Sequence, residues 1–289
     1  MRAGATVNGK SWSLAVALRC AAVVAAACFT PLVPAQGLPA QPPGHVVIVI
    51  MENHASSQIM GSPDAPYINR LAKEGAYFAQ SFAVAHPSQP NYLALFSGST
   101  HGVKSDTCPL NLAGPNLGAQ LIAAGLSFTA YSEALPSPGY AGCTAAGGYA
   151  RKHAPWANFK ALPPATHQPF TAFPRADFGS LPTVAFVVPT LGHDMHDGTV
   201  AQGDAWLASE IDGYVQWSKT HNGLLILTWD EDDNHQGNQI PTIFVGPMVK
   251  PGIVDRRITH YDVLRTVEAM YKLPYAGKAA SAVTITEPW

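Results

Sequence analysis

Charge is scarce in this chain. Only 12% of its 289 residues are charged, and the 17 basic residues are outnumbered by 19 acidic ones, for a formal net charge of −2. A balance so close to neutral offers no basic surface for a polyanion, so nucleic acid is not an expected partner. Cysteine is scarce too, with four residues at 20, 28, 108 and 143. No CxxC spacing occurs and no histidine flanks Cys108 or Cys143, which argues against a thiolate metal site. Long unbroken apolar runs are also missing: the N-terminal CAAVVAAACFTPLV is short and carries Pro31, with Pro34 just beyond, so a stable membrane span is not expected. No internal repeat and no second compositional regime appears, which favours a single globular domain.

What is present begins with a leader. Arg2, Lys10 and Arg19 precede the apolar run, and small residues follow at Val33-Pro34-Ala35-Gln36. That order is the pattern of a secretory signal peptide with its cleavage site. The expected organisation is a signal peptide at 1–36, a Pro-rich linker at 37–43 and one domain over 44–289, in a secreted or periplasmic protein. Removal of the leader would leave Cys108 and Cys143, an even pair that in an exported chain reads as one disulfide.

Past the linker, HVVIVIMEN runs apolar from Val46 to Met51 and ends abruptly in Glu52-Asn53. Such a run suits a strand buried on both faces of a parallel sheet. LSFTAYSE, TVAFVVP, LLILTWDEDD and TIFVGP repeat the pattern, and the segments between them predict helices over 66–75, 92–97, 117–124, 203–220 and 261–271. Strands alternating with helices predict an α/β fold, a doubly wound, mostly parallel central sheet with helices on both faces. Ligands in such folds bind beyond the C-terminal ends of the strands. Two of those ends carry acids, Glu52 after the first strand and Asp230-Glu231 after a later one.

Acids crowded at one sheet edge repel one another, and a divalent cation is the usual resolution. Glu52, Asn53, Asp230 and Glu231 therefore read as a metal site, or else as solvated turn residues. DEDDN also has the alternating acids of a calcium loop, but His235 stands where that loop requires glycine, no Glu closes it, and a strand precedes it. An EF-hand is not expected. Between them in sequence lies HPSQPNYLALFSGSTHG, with Pro90 suited to a first helical position and Ser88 just ahead of it. Ser88 is then either a helix cap or a nucleophile set where a helix N-terminus favours an anion.

Taken in order, VIVIMENH, HPSQPNYLALFSGSTHG, YARKHAPW, DMHDG with GDAWL, and LTWDEDDNHQGNQIPTIFVGP resemble the phosphoesterase family of bacterial phospholipases C and secreted acid phosphatases, within the alkaline phosphatase superfamily. The resemblance implies an alkaline-phosphatase-like fold in which Glu52, Asn53, Ser88, Asp230 and Glu231 bind a metal. Ser88 would also attack phosphorus, while His153 and His196 would line the phosphate pocket and one of them protonate the leaving oxygen. Phospholipase relatives often carry Arg after Glu-Asn, where this chain has His54, so the part played by His54 stays open. His86, His101, His235 and His260 can each cap, pack or hydrogen-bond locally, Asp194 can orient a neighbouring ligand, and Asp204 is expected to cap its own helix.

The expectation is a metal-dependent phosphoric ester hydrolase, an acid phosphatase cleaving monoesters through a phosphoserine. Oxygen ligands favour Ca, Mg or Mn without excluding iron or zinc. The alternatives are a phospholipase C-type diesterase, a phosphatase of phosphoinositide headgroups, or a non-catalytic protein that binds metal and phosphate.

Overall fold

The computed structural model describes residues 37–289, together with Met1 and Gly4; apart from those two, the predicted signal peptide over 1–36 lies outside the described residues. The predicted runs become β1 (His45–Met51), β3 (Phe128–Ser132), β5 (Val184–Val188), β6 (Gly223–Trp229) and β7 (Thr242–Val245). Three short strands complete the sheet: β2 (Ala76–Phe78), β4 (His167–Pro169) and β8 (Gly252–Val254). Their order is β8-β2-β7-β6-β1-β5-β3-β4. β1 lies between β5 and β6, parallel to both, with Ile48 opposite Phe186 on one side and Ile226 on the other. β7 alone runs antiparallel to both of its neighbours, β6 and β2.

Burial explains why these strands lack alternation of apolar and polar residues. Val46, Ile48 and Ile50 face one core with Phe186, Ile226 and Phe244, whereas Val47, Val49 and Met51 face a second core with Val187, Leu227 and Trp229. Both faces are covered, so every position along β1 beyond His45 is apolar. On the second face lie α1 (Pro66–Glu74), α4 (Val200–Glu210) and α5 (Asp212–Ser218); the predicted helix over 203–220 is in fact these last two. On the first lie α2 (Ser88–Ser97), α3 (Leu117–Ala123) and α6 (His260–Met270).

α2 differs from expectation at its start. Its first residue is Ser88 and its N-cap is Pro87, so Pro90 stands third and not first. Both prolines are tolerated because the first turn of a helix has no internal partner for its N–H groups. Every residue of α2 is buried. At its far end Gly98 takes φ 67°, and a Cβ there would sit 2.0 Å from the carbonyl oxygen of Ala276, so only glycine allows α2 to end against that loop. The helix is thereby fixed with its N-terminus at the C-terminal ends of β1 and β6.

Candidate active site

Ser88 is not a helix cap. Its Oγ donates toward Glu52 Oε2 at 3.0 Å and Glu231 Oε1 at 3.1 Å, and the serine is 2% exposed. One hydroxyl proton cannot satisfy two carboxylates, so the Oγ lies at the meeting point of excess negative charge. β1 delivers Glu52 and β6 delivers Asp230 and Glu231, residues far apart in sequence that the parallel β1–β6 pairing brings level. Asn53 joins through its backbone N–H, which donates to Asp230 Oδ1 at 3.1 Å.

Electrostatics mark this cluster as incomplete. Burial, then the charges of Glu52 and Glu231, push the Asp230 carboxyl well above the usual carboxylate range. Its Oδ2 is buried and has no hydrogen-bond partner among the described residues. Glu231 is likewise raised by burial, against the pull of His86, whose Nδ1 pairs with its Oε2. An orphaned buried carboxylate oxygen beside two further acids and a serine hydroxyl is a hard-oxygen donor set, and a divalent cation fits it. Glu52 behaves differently: burial would raise it, but His153, Tyr92 and His196 outweigh that and hold it below its ordinary value.

His153 lies directly behind Glu52. Its Nε2 is 3.0 Å from Glu52 Oε1 and its Nδ1 is 3.3 Å from Asp194 Oδ2. Burial lowers its pKa, yet the two acids prevail and raise it to about 9. Glu52, His153 and Asp194 thus form a buried group with ligand atoms within 4.8 Å of one another, a geometry that could hold a metal ion. A doubly protonated imidazole has no lone pair for a metal, so in this charge state the group is an ion-paired sandwich. Tyr92, one turn after Ser88 on α2, donates to Glu52 Oε1 at 2.5 Å and stacks on the His153 ring. Burial first, then Glu52, raises its phenol well above the usual range, so it remains a donor.

His196 is also brought to the site, with its ring centroid 5.9 Å from that of His153. Its Nδ1 meets Asp197 Oδ1 at 2.7 Å and its backbone N–H donates to Asp194 Oδ1 at 2.8 Å. Asp194 in turn presents its carbonyl to the Glu52 N–H at 2.8 Å. The remaining histidines divide by position. His54 Nδ1 donates to the Glu52 carbonyl and His260 Nε2 to the Asp230 carbonyl, so both brace strand ends. His101 pairs with Ser97 at the far end of α2, and His235 is exposed on the loop after Asp232. That loop is organised by Asp232, whose carboxylate accepts the N–H groups of Asn234, Gln236 and Asn238, an arrangement unlike the calcium loop its composition resembles.

Three contributors were not legible as such in the sequence. Tyr92 had a signal, since i and i+4 share a helix face. Lys152 lies inside YARKHAPW, where His153 draws the attention, and Asp106 sits in a loop with no pattern of its own. Asp106 Oδ2 meets Lys152 Nζ at 2.9 Å, and its Oδ1 accepts the Gln89 N–H at 3.0 Å.

The structure thus sets a serine at a helix start against acids at the C-terminal ends of parallel strands, where ligands bind in folds of this kind. The chain belongs to the phosphoesterase family, whose profile matches residues 62–274, and is a phosphoric ester hydrolase. It is 51% identical over 247 residues to a phosphatidylinositol-3-phosphatase of Mycobacterium tuberculosis, covering 85% of this chain and 82% of that protein. An acid phosphatase of Aspergillus fumigatus is 30% identical over 75% of this chain, which spans only 53% of the fungal protein. Among solved structures, a Vibrio parahaemolyticus protein of the alkaline phosphatase superfamily superposes with a TM-score of 0.55 at 16% identity, covering 82% of this chain and 68% of the other. A phosphonate monoester hydrolase of Agrobacterium radiobacter gives 0.54 at 13%, covering 80% and 74%. At those identities the likeness concerns the fold, an α/β sheet of the alkaline phosphatase type. Among the described residues no helix is long and apolar enough to cross a membrane.

Proposed function

We propose that the protein is an exported, metal-dependent phosphomonoesterase that works through a phosphoserine at Ser88. The observation that carries this reading is the Ser88 hydroxyl, buried at the first residue of α2 between Glu52 and Glu231, the two acids whose charges act on the orphaned Asp230 carboxyl. Export rests on the leader over 1–36, followed by a linker over 37–43 and the phosphoesterase domain over 44–289.

Glu52, Asn53, Ser88, Asp230 and Glu231 would hold the cation, of the Ca, Mg or Mn kind. Bound there, it would offset the carboxylate charge, favour the serine alkoxide and polarise a phosphoryl oxygen. Ser88 passes its proton toward the carboxylates that already accept it, and its Oγ forms the bond to phosphorus as the ester oxygen departs. Water then attacks the phosphoserine and releases inorganic phosphate. His153 is enclosed and paired with Glu52 and Asp194, so its part is to fix Glu52. His196, partly exposed, is the histidine able to protonate the leaving oxygen when its Nε2 carries a proton and is released from Lys152 Nζ, 3.3 Å away.

The substrate is a small phosphomonoester or the monoester phosphate of a lipid headgroup. The 51% identical phosphatidylinositol-3-phosphatase favours the headgroup as a second reading. Acid quench after mixing with labelled aryl phosphate should leave label on the peptide containing Ser88. Ser88→Ala should abolish that label and lower turnover by about three orders of magnitude or more, with the fold retained. Full turnover in Ser88→Ala would reject the mechanism and leave the non-catalytic binding protein or another nucleophile.

A further inference from the structure

Arg151, Lys152 and His153 are consecutive, yet the fold sends them to three different environments. Arg151 is an internal anchor: its Nε donates to Asn158 Oδ1 at 3.1 Å, and its guanidinium reaches the carbonyls of Ala157 and Ala141. His153 is enclosed beneath Glu52. Lys152 remains at the mouth, its side chain 21% exposed, with Nζ 2.9 Å from Asp106 Oδ2 and 3.3 Å from His196 Nε2. An ammonium has three N–H groups and can only donate, so these contacts leave a donor for a ligand. The other oxygen of Asp106 accepts the Gln89 N–H, one residue beyond Ser88, so a single carboxylate ties the ammonium to the N-terminus of α2. Asp106 lies two residues before Cys108, which is bonded to Cys143.

Resting on the reading of Ser88 given above, we propose that Lys152, positioned by Asp106, is the residue that selects phosphomonoester dianions over diester monoanions. The selection is one of charge count. A monoester gains its second negative charge near pH 6, while a diester carries one charge at any neutral pH. A fixed cation at the mouth, beyond the acids and their metal, rewards the additional charge and offers a diester nothing comparable. Burial lowers the Lys152 pKa, but the hydrogen bond and charge of Asp106 outweigh it and raise the value, so the side chain stays an ammonium.

The test compares kcat/KM for an aryl phosphate and the matching bis-aryl phosphate, and the inhibition constant of inorganic phosphate, in wild type, Lys152→Met, Lys152→Arg and Asp106→Asn. Lys152→Met should lose roughly 10- to 100-fold in kcat/KM for the monoester and weaken phosphate inhibition by a similar factor, the range of one charge-assisted hydrogen bond, while the diester changes less than about 3-fold. Lys152→Arg should recover part of the monoester rate, and Asp106→Asn should raise the monoester KM more than it lowers kcat. Equal losses for both substrates, or phosphate inhibition unchanged in Lys152→Met, would overturn the proposal. So would tighter phosphate binding in Asp106→Asn, since Asp106 would then be competing with substrate and not holding the lysine. Acid-quench labelling of wild type keeps the two hypotheses apart: absence of label on Ser88 defeats the nucleophile, whereas the phosphate inhibition constant still reports on Lys152.

Discussion

Glu268 is a single buried acid far from the chemistry whose ionisation should be measurable in the stability of the whole protein. It lies on α6 with no exposed surface; one oxygen accepts the Ala276 N–H at 2.8 Å and the other has no partner among the described residues. Burial raises its pKa to about 7, against the smaller opposing effects of the Ala276 N–H, Gln120 and Arg265. An acid whose folded pKa exceeds its unfolded value of 4.5 holds its proton more tightly in the native state. Its contribution is therefore fully present below pH 4.5 and is lost as the pH rises from there to 7, a change of about 3 kcal/mol. Glu268→Gln keeps the acceptor for Ala276 and removes the titration, so its stability relative to wild type should grow across this window. Urea unfolding at pH 4.5 and pH 8 measures the difference, and a constant offset between the two proteins would show that Glu268 is ionised in the fold throughout.

At the scale of elements, α1 owes its start to a residue of α4. Its N-cap position, Ala65, offers no side-chain oxygen, and the carboxylate of Asp204 instead accepts the N–H groups of Tyr67 at 3.0 Å and Ile68 at 2.8 Å. α4 begins earlier, with Thr199 as its own cap in a reciprocal pairing with Gln202. Asp204 therefore caps a neighbouring helix and not, as expected from its sequence, its own. Asp204→Ala would bury two N–H groups without a partner and separate α1 from α4, costing about 2 kcal/mol. Chemical denaturation should show this loss with kcat unchanged at temperatures where the variant is folded. A loss below about 0.5 kcal/mol would mean that water replaces the carboxylate.

For the molecule as a whole, the covalent tie matters more than any one contact on the surface. Cys108 and Cys143 are bonded, with Cα atoms 5.8 Å apart and 35 residues of sequence separation, as their even pairing predicted. The enclosed chain includes α3 and β3, so the crosslink joins the Asp106 loop to the segment leading into Arg151–His153. Loop closure of this length should contribute about 4 kcal/mol by restricting the unfolded chain. Replacing both cysteines with serine should lower the stability from urea unfolding by about that amount. A change under about 1 kcal/mol would place the ordering of the loop in the unfolded ensemble and not in the crosslink.

The strands of the central sheet were readable because a run buried on both faces must be apolar throughout, a constraint that each segment satisfies locally. Their acidic ends and the Ser88 segment were readable for a similar reason, since an abrupt change from apolar to acidic residues, or a serine set between prolines, is visible within the segment itself. Short strands such as Ala76–Phe78 carry no pattern, because three residues cannot display a period, and the reversed direction of β7 depends on its partners. The histidines were the least legible: His54, His153 and His260 all lie beside site residues, and only the fold assigns one to a carbonyl of Glu52, one to its carboxylate and one to a carbonyl of Asp230. Local sequence determined which elements form and which residue types stand at their ends. Partners separated by a hundred residues or more, such as Ser88 with Glu231 and Tyr67 with Asp204, were decided by the tertiary structure alone. A hydrogen bond across such a separation leaves no periodic trace in either segment, because its geometry exists only after the sheet has set their register.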